Sequence, residues 1–483
     1  MENFGFWSIV PPLVAILLAF FTHEVIVSLF AGILSGGFIY ACGSGLPVID
    51  APIVVLRTMA SHLSDNIHMV IFLLFLGSLV AVITAAGGAN AYGDWAFKRL
   101  KSRRSASLLT SLLGLFIFID DYFNCLTIGA VMRPITDKFK MSREKLAYLI
   151  DATAAPVCII APISSWAAYV VSCIPKDATE HGMQLFLASI PWNFYAFGAL
   201  LLVFAVCLFE KLDFGPMKDA ERVTRRGHDI GADHHAVGMA IVPQIGRGKV
   251  IDLVLPIIVL IVFSILSMLR SGGYFSGETT FAHAFANADA GPSLSLASLG
   301  AVLFSFCLFV PRRLISFKDF SGVVVLGMKT MIPAVVMLCL AWTISGICDE
   351  LLGTGHFLAK LISAPEFPKW SLPAIFFVLS ALLAFATGAS WGAIGILVPV
   401  AAESGFAADT TAAALLLGAV LAGAVQGDHC SPISDTTILS STGAGCRHHN
   451  HVVTQMPYAL AIGILAMIGY LIAGFCCATF TIM

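Results

Sequence analysis

Five aspartates lie in stretches that otherwise read as hydrocarbon-soluble. Asp120 and Asp121 sit in FIFIDDYFNCLTIGA, Asp151 in LIDATAAPVCIIAPISSW, and Asp428 and Asp435 in GDHCSPISD. An aspartate at the centre of a membrane helix costs about 2.5–3.5 kcal/mol on insertion scales. Five facing lipid would cost on the order of 10–17 kcal/mol, as much as holds a whole domain together. They must therefore bind a cation, carry a proton, pair with donors or face water. Carboxylate, hydroxyl and freed carbonyl oxygens are hard ligands, which suit Na+ better than a soft metal. All five acids are candidate cation or proton carriers, with Na+ placed first at Asp121 and Asp428.

Their neighbours extend the candidate pocket. Asp120, Asn124 and Thr127 follow i, i+4, i+7 and share a helix face. Ser164 and Ser165 stand beside one polar centre, Thr387 and Ser390 beside another, and Ser431 and Ser434 add hydroxyls between the last two acids. His429 follows Asp428 and would titrate near neutral pH. Trp166 and Trp391 adjoin the polar centres, where interface packing competes with an organic solute lying on a ring. Structural duties compete elsewhere too. Asp120, Asp121 or Asp435 would cap a helix start, Asp151 would lie near the cytoplasmic end of its span, and His429 would serve only as a hydrogen-bonding group. The run Arg447-His448-His449-Asn450-His451 reads as a polar connection to the last span.

The elements that position these groups follow from composition. The chain has 483 residues, 58% hydrophobic and 12% charged, against roughly 25% charged for soluble domains. With a mean hydropathy of +0.91 it is an integral, multi-pass membrane protein. A net charge of −2 gives no reason to expect nucleic acid. The 12 cysteines are scattered without a CxxC pair and read as buried small hydrophobes. The start, MENFGFWSIVPP, lacks the basic region of a cleavable signal, so the first apolar segment is expected to be retained.

Candidate spans are 9–22, 25–41, 66–86, 105–132, 146–174, 188–209, 250–269, 293–310, 330–348, 371–402, 411–441 and 455–480. Basic residues mark cytoplasmic loops, and Lys98, Arg99, Lys101, Arg103 and Arg104 precede 105–132 while Arg133, Lys138, Lys140, Arg143 and Lys145 follow it. With both ends cytoplasmic, 105–132 is expected to be a re-entrant hairpin turning near Ile117–Asn124. Such backbone is tolerated at membrane depth where protein buries it or a wet cavity exposes it. The Gly-rich centre FATGASWGAIG of 371–402 has no basic flank and is expected to form a second hairpin, entering from outside.

Each hairpin precedes a span with a polar, Pro-bearing middle, and Ala161-Pro162-Ile163-Ser164 matches Ser431-Pro432-Ile433-Ser434 at three positions of four. Proline removes a donor and clashes with the preceding turn, so 146–174 and 411–441 are expected to be broken helices. The predicted fold is thus an all-α inverted-repeat secondary transporter with two re-entrant hairpins and two broken helices. The halves are 1–210 and 250–483, joined by a solvated cytoplasmic connector, 211–249, of mixed charge.

FIDDYFNCLTIGAVMRPITDKFKMSREKLAYLIDATAAPVCIIAPISSW (118–166) and GDHCSPISDTTILSSTGAGC (427–446) resemble the NhaC-type Na+/H+ antiporter family of the ion-transporter superfamily. The resemblance implies a homodimer with a scaffold and a mobile transport domain in the inner (plasma) membrane. It also implies that hairpin tips and helix breaks hold substrate and coupling ion. The leading expectation is Na+/H+ antiport by alternating access, with Na+ and H+ as coupling ions and no cofactor. The alternative is Na+-coupled transport or exchange of a small organic carboxylate or amino acid. No P-loop is present, so an ion gradient would supply the energy. The intramembrane aspartyl protease motifs do not match, and an enzyme is not expected. A passive channel fits less well, because broken helices serve closed sites.

Overall fold

A computed structural model describes residues 4–22, 24–118, 121–162, 164–174, 182–227, 242–277, 280, 284, 288–354, 357, 368–403 and 410–480. Among them helices dominate and no strand occurs, as expected where backbone groups must be satisfied within one segment. The first half holds α1 (Val10–Thr22), α2 (Val25–Gly43), α3 (Ala51–Asp65), α4 (Ile67–Ala86), α5 (Gly88–Arg99), α6 (Arg103–Phe116), α7 (Asp121–Lys138), α8 (Arg143–Cys158), α9 (Ser165–Cys173), α10 (Gly182–Ser189) and α11 (Phe194–Leu208). The connector contributes α12 (Gly215–Arg225). The second half holds α13 (Ile251–Ser271), α14 (Ala290–Phe309), α15 (Phe317–Gly346), α16 (Leu372–Thr387), α17 (Ser390–Glu403), α18 (Thr410–Cys430), α19 (Asp435–Ala444) and α20 (His448–Phe480).

Among the described residues, seven helices are long and apolar enough to cross a membrane, and Gly182–Trp192 with Phe194–Leu208, bent by 47°, form either a broken span or a re-entrant loop. The chain is a multi-pass membrane protein. The window 188–209 is thus a bent pair where the hydropathy alone reads one straight span. The windows 105–132, 146–174, 371–402 and 411–441 each divide into two helices: α6 with α7, α8 with α9, α16 with α17, and α18 with α19. Gly388 makes the third division by adopting φ 70° at the end of α16, where its amide closes on Ala384 O (2.8 Å). A left-handed residue there is what glycine permits and other residues resist.

Several boundaries move. α7 runs on to Lys138, past the expected end at 132, so Arg133 is helical and not in a loop. Asn124 lies inside α7 and not in the turn. α20 begins at His448, so most of the His-rich run is its first turn. The connector is only partly a solvated linker. Asp213 and Glu221 are buried, Asp213 holding Lys145 Nζ at 2.7 and 2.9 Å and Glu221 accepting from Arg103 and from Ser142 N (2.7 Å). The stretch 228–241 lies outside the described residues.

Buried apolar side chains form two large cores. One gathers α1 to α7, one face of α8, α13 to α15 and α19. The other gathers the end of α8, α9 to α11, α16 to α18 and α20. α7 and α19 lie side by side in the first. A Cβ on Gly129 would collide with the backbone of Gly443, so these two helices approach at backbone distance. Tyr122 pairs with Asp435 and Cys125 with Ser440, so the residue numbers rise together and the two helices run parallel. α8 runs the other way along α19, since Arg143 reaches Gly445 O (3.1 Å) and Asp151 meets Ser440.

Candidate functional site

Asp428 and Asp435 come together at the break between α18 and α19. In α18 the chain GAVQGDHC ends at Cys430, and α19 restarts after Ser431–Ser434. Ser434, not Asp435, caps α19: its Oγ accepts from Thr437 N (3.3 Å). Ser164 does the same for α9, accepting from Ala167 N (3.1 Å). The two serines of the matching tetrapeptides therefore have one duty, to satisfy amides exposed where a proline-bearing break ends. Ser165 opens α9 behind the Ser164 cap.

Asp428 is fully buried at the last turn of α18. Its Oδ2 accepts from Thr436 Oγ1 (2.8 Å), and its Oδ1 has no hydrogen-bond partner among the described residues. Asp435 accepts from the Tyr122 hydroxyl and from Thr436 N (2.8 Å). Thr436 thus bridges the two carboxylates. Asp121 opens α7 and is buried, as are Asn124 and Thr127. Asn124 Nδ2 donates to Gly114 O (2.9 Å), Ile117 O (2.7 Å) and Thr153 O (3.3 Å). It ties the end of α6 to α8, a structural duty that the helical spacing did not announce. Asn124 Oδ1 and Thr127 Oγ1 have no hydrogen-bond partner among the described residues. Asp120 lies outside the described residues.

Asp151 is fully buried and is the centre of a second polar network. It accepts from Ser440 Oγ (3.0 Å) and Gln455 Nε2, and faces His451 Nε2 (3.3 Å). Gln455 Nε2 also donates to His429 O (3.0 Å), and His429 Nδ1 meets the Tyr195 hydroxyl (3.0 Å). His448 joins Pro432 O (2.7 Å) to Ser441 Oγ (3.2 Å). Tyr122, Tyr195, Thr436, Ser440 and Gln455 escaped the sequence reading, and His448 and His451, read there as a polar connection, instead join buried polar groups. His451 and Gln455 stand four apart in a polar prelude to an apolar span, a spacing that marks one helix face.

Other candidates serve backbone. Ser431 Oγ donates to Phe385 O (2.8 Å), Ser390 Oγ to Ala424 O (3.3 Å), Thr387 Oγ1 to Leu383 O (2.9 Å) and Ser164 Oγ to Cys158 O (2.8 Å). Trp166 and Trp391 are brought together, with ring centroids 4.9 Å apart.

The chain matches the sequence profile of the Na+/H+ antiporter family over residues 157–475. It belongs to that family. An uncharacterised protein of Haemophilus influenzae is 40% identical to this family member over 97% of this chain and 91% of its own length. Shorter matches cover about a third of each chain. The arginine/ornithine antiporter ArcD of Halobacterium salinarum is 31% identical over 33% of this chain and 31% of its own. The malate-2H+/Na+-lactate antiporter of Bacillus subtilis is 26% identical over 33% of this chain and 34% of its own. Family and relatives support exchange of a cation or solute across a membrane.

Proposed function

We propose that the chain exchanges Na+ for H+ across the plasma membrane by alternating access, with Asp428 at the exchange site, Asp435 beside it and Asp121 as a further cation or proton carrier. The observation that carries this is the buried, unpartnered Oδ1 of Asp428 at a helix break. An uncompensated carboxylate at membrane depth is costly, and either a proton or a hard cation relieves it. The Thr436 hydroxyl and the neighbouring Asp435 belong to the hard-oxygen set that Na+ takes. Sodium and proton would then occupy one site in turn.

Alternating access needs two bodies that move. The two apolar cores supply candidates, and the antiparallel run of α8 along α19 supports an inverted repeat. A homodimer is proposed from the family resemblance. The test is reconstitution into liposomes holding a pH dye and Na+, diluted into Na+-free medium. Sodium efflux should draw protons in and acidify the lumen. A lumen whose pH ignores the Na+ gradient would remove the reading. A second reading, exchange of an organic solute, is favoured by the Trp166–Trp391 pair.

A further inference from the structure

α15 carries another carboxylate at membrane depth. The helix ends in one π-helical turn, Ile347–Leu351, a distortion that recurs at functional sites. Asp349 stands on that turn, within the apolar stretch Phe317–Leu351. Its Oδ2 accepts from Ser345 Oγ (3.4 Å), and its Oδ1 is buried with no hydrogen-bond partner among the described residues. Glu350, next in the chain, turns instead to His62 (3.4 Å) and is largely exposed.

α17 faces Asp349 with glycines. A Cβ at Gly392 would stand 2.9 Å from Asp349 Oδ2, and one at Gly395 would stand 2.7 Å from the Tyr169 hydroxyl oxygen. Three residues apart, the two glycines share a helix face, so carboxylate and phenol pack against one side of α17. The Tyr169 hydroxyl donates to Trp391 O (2.9 Å). The Trp391 ring lies 4.8 Å from Tyr169, edge-on, and 4.9 Å from Trp166. Trp166 is fully buried, whereas Asp349, Tyr169, Trp391 and Gly392 are each partly exposed. The turn bearing Asp349 begins in one apolar core, at Ile347 and Cys348, and Trp166 belongs to the other.

We infer that this cluster recognises the ammonium group of a small organic amine. The inference deepens the organic-solute reading above and rests on it. The Asp349 carboxylate supplies the counter-charge, and indole and phenol faces attract cations through their quadrupoles. A desolvated Na+ would call for more oxygens than one carboxylate and one serine hydroxyl offer. A solute bearing only a carboxylate would meet like charge at Asp349. An amine held here would touch both apolar cores, so its binding would favour whichever arrangement brings them together.

The test is calorimetric titration of the purified full-length protein with putrescine, L-ornithine and L-lactate near neutral pH at fixed ionic strength. Putrescine and ornithine should bind saturably and lactate should not. Asp349→Asn and Trp391→Leu should each weaken amine binding about tenfold or more, and Asp349→Glu should retain it. Absence of saturable amine binding to the wild type up to about 10 mM overturns the inference even if no variant folds. So does amine affinity in folded Asp349→Asn equal to that of the wild type. Sodium-driven proton flux is measured on the same preparation. Saturable lactate binding without amine binding sinks the amine site and leaves the organic-solute reading standing, whereas flux with neither solute bound sinks both. Amine binding without flux sinks Na+/H+ exchange and leaves the amine site standing.

Discussion

Removing Asp213 should expose how the connector is fastened. Lys145 and Asp213 meet at 2.7 and 2.9 Å with both side chains only 4% exposed. Burial pushes the Asp213 carboxyl above its usual range even though Lys145 opposes the shift. On the carboxyl, burial thus outweighs the pull of the ammonium. With a folded-state pKa that is raised, Asp213 contributes stability below about pH 4 that is lost as pH rises through the folded value. Asp213→Leu leaves the Lys145 ammonium buried and uncompensated, at a cost of about 3–5 kcal/mol. The double variant Asp213→Leu/Lys145→Met removes both charges and should lie within about 1 kcal/mol of wild type or above it. The assay is reversible unfolding in mixed micelles, read as a double-mutant cycle at two pH values. A single variant within about 1 kcal/mol of wild type, or a double variant as unstable as the two singles added, would refute the reasoning.

Four further outcomes are expected. Asp428→Asn should abolish Na+-driven lumen acidification while the protein still elutes as a folded species; wild-type rates would return Asp428 to a structural duty. If Na+ and H+ share that site, log Kd for Na+ should fall with pH at a slope approaching about −1 below the apo-site pKa, and a flat profile from about pH 5.5 to 8.5 would contradict sharing. Gly129→Ala drives a methyl into the Gly443 backbone, and the unfolding free energy should drop by about 1–3 kcal/mol, with an unchanged value showing that α7 and α19 separate freely. Cysteines introduced at Ser102 and Asp137, in a background without exposed native cysteines, should both resist an external impermeant thiol reagent; labelling at one alone would make 105–132 a full crossing.

Much of the architecture is readable from residue patterning. The divisions within 105–132, 146–174, 371–402 and 411–441 follow from glycine, proline and acid placement, because these residues interrupt helices for local reasons. The matching Pro-Ile-Ser tetrapeptides mark both breaks, but the cap of α19 is Ser434 and not Asp435, where the sequence offered it. Less readable is which polar groups meet. His451 read as part of a polar connection to the last span and Gln455 drew no reading, yet both close on Asp151, a contact made across some 300 residues of chain. Asn124 kept helical spacing with an acid but points its amide at three carbonyls, which only tertiary packing decides. Asp349 stayed unnoticed because it closes a long apolar run, where an acid reads as an interfacial end.

The Asp151 network has a consequence for inheritance. Its acceptor comes from the first half of the chain and its donors, Ser440 and Gln455, come from the second, with His451 facing it from there too; Arg143 and Glu144 add Gly445 O and Asn450 across the same divide. The halves are stitched through polar atoms that are buried at Asp151 and part-buried at Arg143 and Glu144. A hybrid joining residues 1–227 of this chain to the second half of a distant relative would inherit each of these side chains without its partner. Substitutions in this layer must therefore travel in pairs across the connector, and lineages that exchange only one half should be rare.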